Sequence, residues 1–329
     1  MRVFVTGGAG YIGSVGVEKL LDAGHEVIVM DNMRTGRPAS IASDATVITG
    51  DLRDGAFVKD VLARTGPDAI MHFAAATIVP ESMTKPDLYY GINMVGGYNL
   101  LEGARLAGID KIIVSSTAAV YGAVEEMPIT EETPTHPVSP YGAAKLMFEQ
   151  MLAAYAHAYG TRWIAFRYFN VAGATFTHGE DHRPETHLIP NALLAVAGRR
   201  PPMELYGTDY PTPDGTAIRD YVHVEDLIDA HLAGLERIDI VSGPFNLGTT
   251  TGASVAEVIG TVEKVTDREV PRIYRDRRAG DPPVLVADAS RAREQLDWTP
   301  SRSTLEQMIG SAWEWMQRNP NGYEGGPEF

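Results

Sequence analysis

A tyrosine and a lysine stand four residues apart in Tyr141-Gly142-Ala143-Ala144-Lys145, at the start of a stretch with helical spacing. On a helix, positions i and i+4 share a face about one turn apart, so the phenol and the ammonium meet the same space. A phenol ionises near pH ~10, and positive charge nearby favours its anion, which is a general base. The same spacing arises often by chance, and a surface tyrosine beside a solvated lysine explains it in isolation. Two neighbours shift the balance. Pro140 suits the first turn of a helix. One strand earlier, the apolar run Lys111–Ser115 leads into Ser116 and Thr117. The Thr117 hydroxyl is suited to bond the oxygen that Tyr141 deprotonates; the plainer reading is a turn or cap hydroxyl.

A second chemistry-bearing pattern lies at the N-terminus, MRVFVTGGAGYIGS. Arg2–Thr6 is a β-rich run, Tyr11–Ala23 carries apolar residues at helical spacing, and His25–Met30 is a second β-rich run closed by Asp31. Gly8, Gly10 and Gly13 fit G-x-G-x-x-G, and Gly7, Gly10 and Gly13 fit G-x-x-G-x-x-G. Alone either pattern is weak. Between a strand and a helix, it gives a tight turn, close approach of backbone to a pyrophosphate, and N–H groups at a helix start for the phosphates. Asp31 stands where an acid accepts hydrogen bonds from the adenosine ribose, and it repels a 2′-phosphate, which favours NAD over NADP. Arg34 works against that preference. The bland alternative is a flexible turn between ordinary strand and helix.

These residues need a scaffold, and the rest of the N-terminal half supplies one. Strands are expected at Thr46–Thr49, Ala69–Phe73, Lys111–Ser115 and Arg162–Phe166, with helices at Phe57–Ala63, Leu88–Ala107 and Pro140–Tyr159. Alternating strands and helices imply an α/β fold, a Rossmann-type doubly wound parallel sheet with helices on both faces. Ligands of such sheets sit at the carboxyl ends of the strands, where Asp31, Asp51, Ala74 and Ser116 fall. From about residue 169 prolines cluster and the pattern loosens. Residues 1–168 are expected to form the cofactor domain. Residues 169–329 are expected to form mainly a smaller C-terminal substrate-binding domain, with some later segments, such as 220–250, rejoining the cofactor domain, Phe245–Gly248 as a strand.

Composition narrows the partners. The net charge is −15, which repels phosphate backbones and argues against nucleic acid. An anionic small ligand then needs local arginines or backbone N–H groups. There is no cysteine, which excludes disulfides, thiol catalysis and Cys-ligated zinc; no metal centre is expected. No apolar run approaches the ~18 residues that span a bilayer, and the N-terminus lacks the features of a signal peptide. A cytoplasmic protein is expected, and the closing GGPEF reads as a tail.

Further motifs run in order along the chain: Gly50-Asp51-Leu52, His72-Phe73-Ala74-Ala75, Val120-Tyr121-Gly122, Arg167-Tyr168-Phe169-Asn170, Tyr210-Pro211-Thr212, Asp214-Gly215-Thr216, Arg219-Asp220-Tyr221 and Arg278-x-Gly-Asp281. Together with the glycine turn and Tyr141-x-x-x-Lys145, they resemble the extended short-chain dehydrogenase/reductases, and among these the UDP-glucose 4-epimerases. The likeness runs from residue 1 to about 323.

It implies NAD held by Gly7, Gly10, Tyr11, Ile12, Gly13, Asp31, Asn32, Asp51, Leu52, Phe73, Ala74, Ala75, Asn93, Ser115, Tyr141, Lys145 and Tyr168. It implies Tyr141 as base, Lys145 as the residue that bonds the nicotinamide ribose and tunes Tyr141, and Thr117 at the sugar 4-oxygen. Asn170, Leu188, Tyr206, Arg219, Arg278 and Asp281 would hold a UDP-sugar, with Tyr206 stacking on uracil. The alternative for Arg219 is an ion pair with Asp220. A homodimer pairing Leu88–Ala107 and Pro140–Tyr159 with a second copy is likewise implied.

Relatives that eliminate water carry an Asp-Glu pair after this threonine; here Ala118 and Ala119 stand there, which disfavours a dehydratase. UDP-galactose and UDP-glucose are the expected pair. The rivals are UDP-N-acetylhexosamines, pentoses or uronates, and a non-catalytic NAD-binding relative. Four positions depart from the commonest pattern: Val15, Thr77, His187 in place of asparagine, and Leu285 at the sugar 2-substituent.

Overall fold

The computed structural model describes residues 1–277 and 281–323; Arg278 and the GGPEF tail lie outside the described residues. Seven strands form the main sheet: β1 (Arg2–Thr6), β2 (Glu26–Asp31), β3 (Thr46–Thr49), β4 (Ala69–His72), β5 (Lys111–Thr117), β6 (Arg162–Tyr168) and β7 (Gly243–Leu247). Their spatial order is β7-β6-β5-β4-β1-β2-β3, every pair parallel. The order reverses at β1, between β2 and β4, which opens a crevice at the carboxyl edge there. The late strand β7 joins at the far edge beside β6, in register Phe245 with Phe166.

Strand alternation explains the two cores. Val3, Val5, Val27 and Val29 point to one face of the sheet; Phe4, Ile28 and Met30 point to the other. Both faces are covered, so the strands read as continuous apolar runs rather than alternating ones. On one face lie α1 (Tyr11–Asp22) and the later helix Val224–Arg237; on the other lie α2 (Gly55–Thr65), α3 (Gly96–Ala107) and α4 (Pro140–Tyr159).

The long helix expected over Leu88–Ala107 is broken into parts. Pro86–Tyr89 is one α-turn, Tyr90–Val95 is a wide π-type turn, and α3 begins at Gly96. The widened turn turns Asn93 inward: its Oδ1 accepts the Ala76 N–H at 2.8 Å and its Nδ2 donates to the Ala76 carbonyl at 2.9 Å. Such turns occur often where a side chain must be re-aimed at a site.

Past β6 the chain builds short sheets and a separate core. Asn170–Ala172 pairs with Tyr221–His223, Met203–Tyr206 pairs with Arg272–Arg275, and Ile218–Arg219 lies between Ala253–Ser254 and Val284–Leu285. Helices α5 (Leu188–Val196), Val255–Thr266 and Leu305–Arg318 close over Leu193, Val258, Val262 and Ile309. Among the described residues, no helix is long and apolar enough to cross a membrane.

Candidate active site

The glycine turn sits in the crevice between β1 and β4. Gly7 has φ +75°, and a Cβ on it would stand 2.5 Å from the Ala74 nitrogen. A Cβ on Gly13 would stand 2.1 Å from the Gly7 carbonyl oxygen. Only hydrogen fits at these two positions. Gly10 caps α1 with no side chain on its N–H groups, and the first turn holds no acid. The leading N–H groups are therefore left for a ligand, and the dipole there favours an anion.

Asp31, buried at the end of β2, accepts N–H bonds from Ala9 at 3.1 Å and Met33 at 2.9 Å. Burial raises its pKa, and those bonds oppose the rise. Asn32 donates to Asp51 at 3.0 Å. The Arg53 guanidinium beside Asp51 holds that carboxyl well below the usual range. Helix-start N–H groups without a side-chain cap, a backbone cradle that a Cβ would fill and a buried acid at the end of β2 fit a dinucleotide.

On the other side of β4, β5 ends at Thr117 and α4 begins. Ser139 caps α4, accepting the Gly142 N–H at 3.2 Å, and Pro140 follows. This sets Tyr141 in the first turn, buried, with its ring edge-on to Tyr89 at 6.4 Å. Lys145, one turn on, is 4% exposed. Its Nζ donates to the Ser115 carbonyl at 2.7 Å and lies 3.2 Å from the Ser115 hydroxyl. Thr117 Oγ1 accepts the Ala119 N–H at 3.1 Å, so it is a cap as well as a neighbour of the phenol.

The electrostatics depart from the expectation in one respect. Burial pushes the Tyr141 phenol above its ordinary value, and its hydrogen bond with Thr117 opposes that. Burial lowers Lys145 itself to about 8, against the pull of Glu149.

Glu149 was not singled out from the sequence. It lies one further turn along α4, so Tyr141, Lys145 and Glu149 share a face. Its carboxylate pairs with Arg167 at 2.5 Å and accepts from the Ser116 hydroxyl. Arg167 also donates to the Tyr121 hydroxyl at 2.9 Å, which donates to Asn246 of β7 at 2.7 Å. A buried polar chain thus runs beneath Lys145 from β5 to β7. The available signal was the continued four-residue spacing, Y-x-x-x-K-x-x-x-E.

The remaining expected cofactor positions line the same carboxyl edge. Phe73, Ala74 and Ala75 follow β4, with Phe73 and Ala74 donating N–H bonds to the Thr6 carbonyl at 2.9 and 3.1 Å. Tyr168 ends β6 in register with Thr117. Leu52 is buried, and Tyr11 donates to the Gly173 carbonyl at 2.5 Å. Ile12 packs between two clusters beside α1.

The expected sugar-nucleotide residues fall on elements beyond β6. Arg219 pairs with Asp281 at 2.5 Å, so two of them are brought together. The alternative pairing of Arg219 with Asp220 does not form. Asp220 is fully buried, and its carboxylate accepts N–H bonds from Thr249, Thr250 and Ala287 at 2.7, 3.1 and 3.0 Å. Asn170 donates to the Asp220 carbonyl at 2.8 Å. Leu188 opens α5, and Tyr206 ends its strand in register with Arg275, its hydroxyl bonded to Glu204. Leu285 is in register with Arg219.

Comparison with known proteins agrees with this arrangement. The family model described as "NAD dependent epimerase/dehydratase family" matches residues 3–248. A UDP-glucose 4-epimerase of Lacticaseibacillus casei is 45% identical, covering 98% of this chain and 99% of its own. A crystal structure of a UDP-glucose 4-epimerase superposes with TM-score 0.96 at 48% identity, over 98% of this chain and 100% of that one. The Bifidobacterium longum UDP-glucose 4-epimerase, solved with NAD+ and UDP, gives TM-score 0.92 at 38% identity over 98% and 100%. With match and geometry in agreement over nearly the whole length, the chain belongs to the NAD-dependent epimerase/dehydratase family.

Proposed function

We propose that the protein is an NAD-dependent UDP-hexose 4-epimerase, an isomerase that interconverts UDP-galactose and UDP-glucose through a 4-keto sugar. The observation that carries this reading is the placement of Tyr141, Thr117 and Lys145 on the sheet edge that also holds the open glycine cradle. Without Lys145 and Thr117 behind it, Tyr141 would be an ordinary buried phenol.

The N–H groups at the start of α1 and the Asp31 carboxylate hold the dinucleotide, with Asn32, Asp51, Leu52, Phe73, Ala74, Ala75 and Asn93 shaping the crevice. The chemistry supplied by bound NAD is reversible uptake of hydride from the sugar C4. Lys145, fixed by Ser115, has its remaining N–H bonds for the nicotinamide ribose. Tyr141 takes the proton of the sugar 4-hydroxyl, while Thr117 bonds the same oxygen and keeps it aligned. Arg219, paired with Asp281 rather than Asp220, meets the diphosphate with a charge-assisted bond. Asn170, Leu188, Tyr206, Arg278 and Asp281 complete the grip on UDP. Held by its nucleotide, the 4-keto ring turns its other face to the same reacting groups. Tyr141 then returns the proton, and the stereocentre is inverted with no net redox change. Ala118 and Ala119 offer no acid to expel a 6-hydroxyl, so elimination does not compete.

We also read the enzyme as a cytoplasmic homodimer. Helices α3 and α4 lie side by side, joined by Tyr155 and Glu102 at 3.0 Å, and present Tyr98, Leu106, Met147 and Tyr159 to the outside. An apolar patch shared by two helices suits a second copy of the same pair.

The test is direct. Purified protein is given UDP-galactose, UDP-N-acetylgalactosamine or UDP-xylose, with and without added NAD, and products are resolved by chromatography. Conversion of UDP-galactose to UDP-glucose without net NADH is expected. No conversion of any sugar with NAD present overturns the reading.

A further inference from the structure

Eight residues between the two halves, Glu180-Asp181-His182-Arg183-Pro184-Glu185-Thr186-His187, contain two Glu-x-His units. The fold turns all four Glu and His side chains to one point. One ligand atom from each of Glu180, His182, Glu185 and His187 lies within 4.8 Å of the others. His182 Nδ1 is 2.8 Å, and His187 Nδ1 is 2.7 Å, from the same Glu180 Oε1. His187 Nδ1 also lies 2.9 Å from Glu185 Oε1. The geometry points to a metal site of two imidazole nitrogens and two carboxylates, taking a divalent first-row transition ion, zinc by its donor set.

Three features support it. The carboxylates are buried, with side chains 8% exposed for Glu180 and 4% for Glu185. Two carboxylates drawn from water to one point need positive charge, which the paired imidazoles supply as imidazolium until an ion takes their place. Second, Glu185 is fixed in place by neighbouring backbone. Glu185 Oε1 accepts the N–H groups of Thr186 and His187 at 2.6 and 2.7 Å, and Arg200 donates to the Glu185 carbonyl at 2.9 Å. Such outer bonds hold a ligand in place before the ion arrives. Third, His187 is half exposed and gives the ion an entry path. Asp181 is excluded from the set because it pairs with Arg37 and Arg183.

The distances define what binding must do. Tetrahedral nitrogen and oxygen ligands with bonds of ~2.0–2.1 Å stand roughly 3.3 Å apart. The closest pairs here are 2.7–2.9 Å apart, so they open by about half an ångström. Any proton that the imidazoles and carboxylates share leaves as the ion enters. Two imidazoles and two carboxylates neutralise a divalent ion and can close its shell, so the site is structural. It ties residues 180–187 between Tyr11, whose ring meets His182 edge-on at 6.4 Å, and the start of α5 at Leu188. The ion would therefore clamp the strap that spans the cofactor-binding turn and the sugar-binding half, and this holds whichever sugar is turned over.

The experiment uses the full chain. Protein stripped with EDTA is loaded with Zn2+ or Co2+, dialysed, and read by elemental analysis, cobalt d–d absorption and thermal melting. One ion per chain, the intense bands of tetrahedral cobalt and a raised Tm are expected. Glu185→Gln and His182→Ala should each lose the ion. Glu185→Gln keeps an oxygen for the Thr186 and His187 N–H groups while removing the negative charge, and so serves if His182→Ala fails to fold. Less than a tenth of an ion per chain in the wild type overturns the proposal. So does equal loading of a folded variant, or the weak bands of octahedral cobalt, since either places the ion on surface acids.

Discussion

In the proposed mechanism Tyr141 meets a heavy chemical demand, because its phenol would give and take a proton in a site that burial makes hostile to its anion. Replacing it with phenylalanine keeps the shape and removes the proton. Turnover is expected to fall roughly 100- to 10,000-fold with NAD content unchanged, read by product assay and by ultraviolet absorbance of the purified protein. Lys145 gives a pH-dependent signature. Burial pushes its pKa down to about 8 from the 10.5 of a free lysine side chain. Between those values the unfolded chain binds the proton that the folded chain has released, so this group's contribution to stability rises with pH across that window. Urea denaturation just below pH 8 and again near pH 10 should show the wild type gaining on Lys145→Met. Equal pH dependence in the two proteins would refute the buried-lysine account. Beneath it, Glu149→Gln leaves the Arg167 guanidinium buried without its anion. That costs about 3–5 kcal/mol by analogy with broken buried pairs, visible as a fall in Tm.

At the scale of elements, two turns place the site. The β1–α1 turn depends on the missing Cβ of Gly13. Gly13→Ala drives a methyl into the Gly7 carbonyl, so the protein should purify with little NAD and bind it weakly in a fluorescence titration. The start of α4 depends on Ser139. Ser139→Ala removes the bond to the Gly142 N–H and costs about 1 kcal/mol, with a fall in kcat larger than any change in KM, because Tyr141 sits two residues into that helix. The glycine spacing and Pro140 at the helix start were legible in the sequence as local chemistry, whereas the Ser139 cap came from the structure. The π-turn at Tyr90–Val95 was not legible. Nothing in Leu88–Ala107 breaks the helical pattern strongly enough, and the turn exists because the Asn93 amide bridges both backbone groups of Ala76, seventeen positions away in sequence.

For the whole molecule, the apolar residues left outside on α3 and α4 predict the assembly. Sedimentation equilibrium should give twice the 35.7 kDa chain mass, and Met147→Glu should shift the protein toward the monomer without altering its circular dichroism. The sequence by itself determined the parallel sheet, the cofactor turn and the one-turn spacing of Tyr141 and Lys145. Each is written in residues close along the chain, in periods of two and 3.6 or in the fixed reach of one helical turn. Only the tertiary structure decided which charges meet. It drew Lys145 onto Ser115, and it gave Asp220 to the backbone of residues 249, 250 and 287, so that Arg219 paired with Asp281 instead. It paired Glu149 with Arg167. Ion pairing depends on distance in space and on burial. Neither is encoded in spacing along the chain when the partners arrive on different strands.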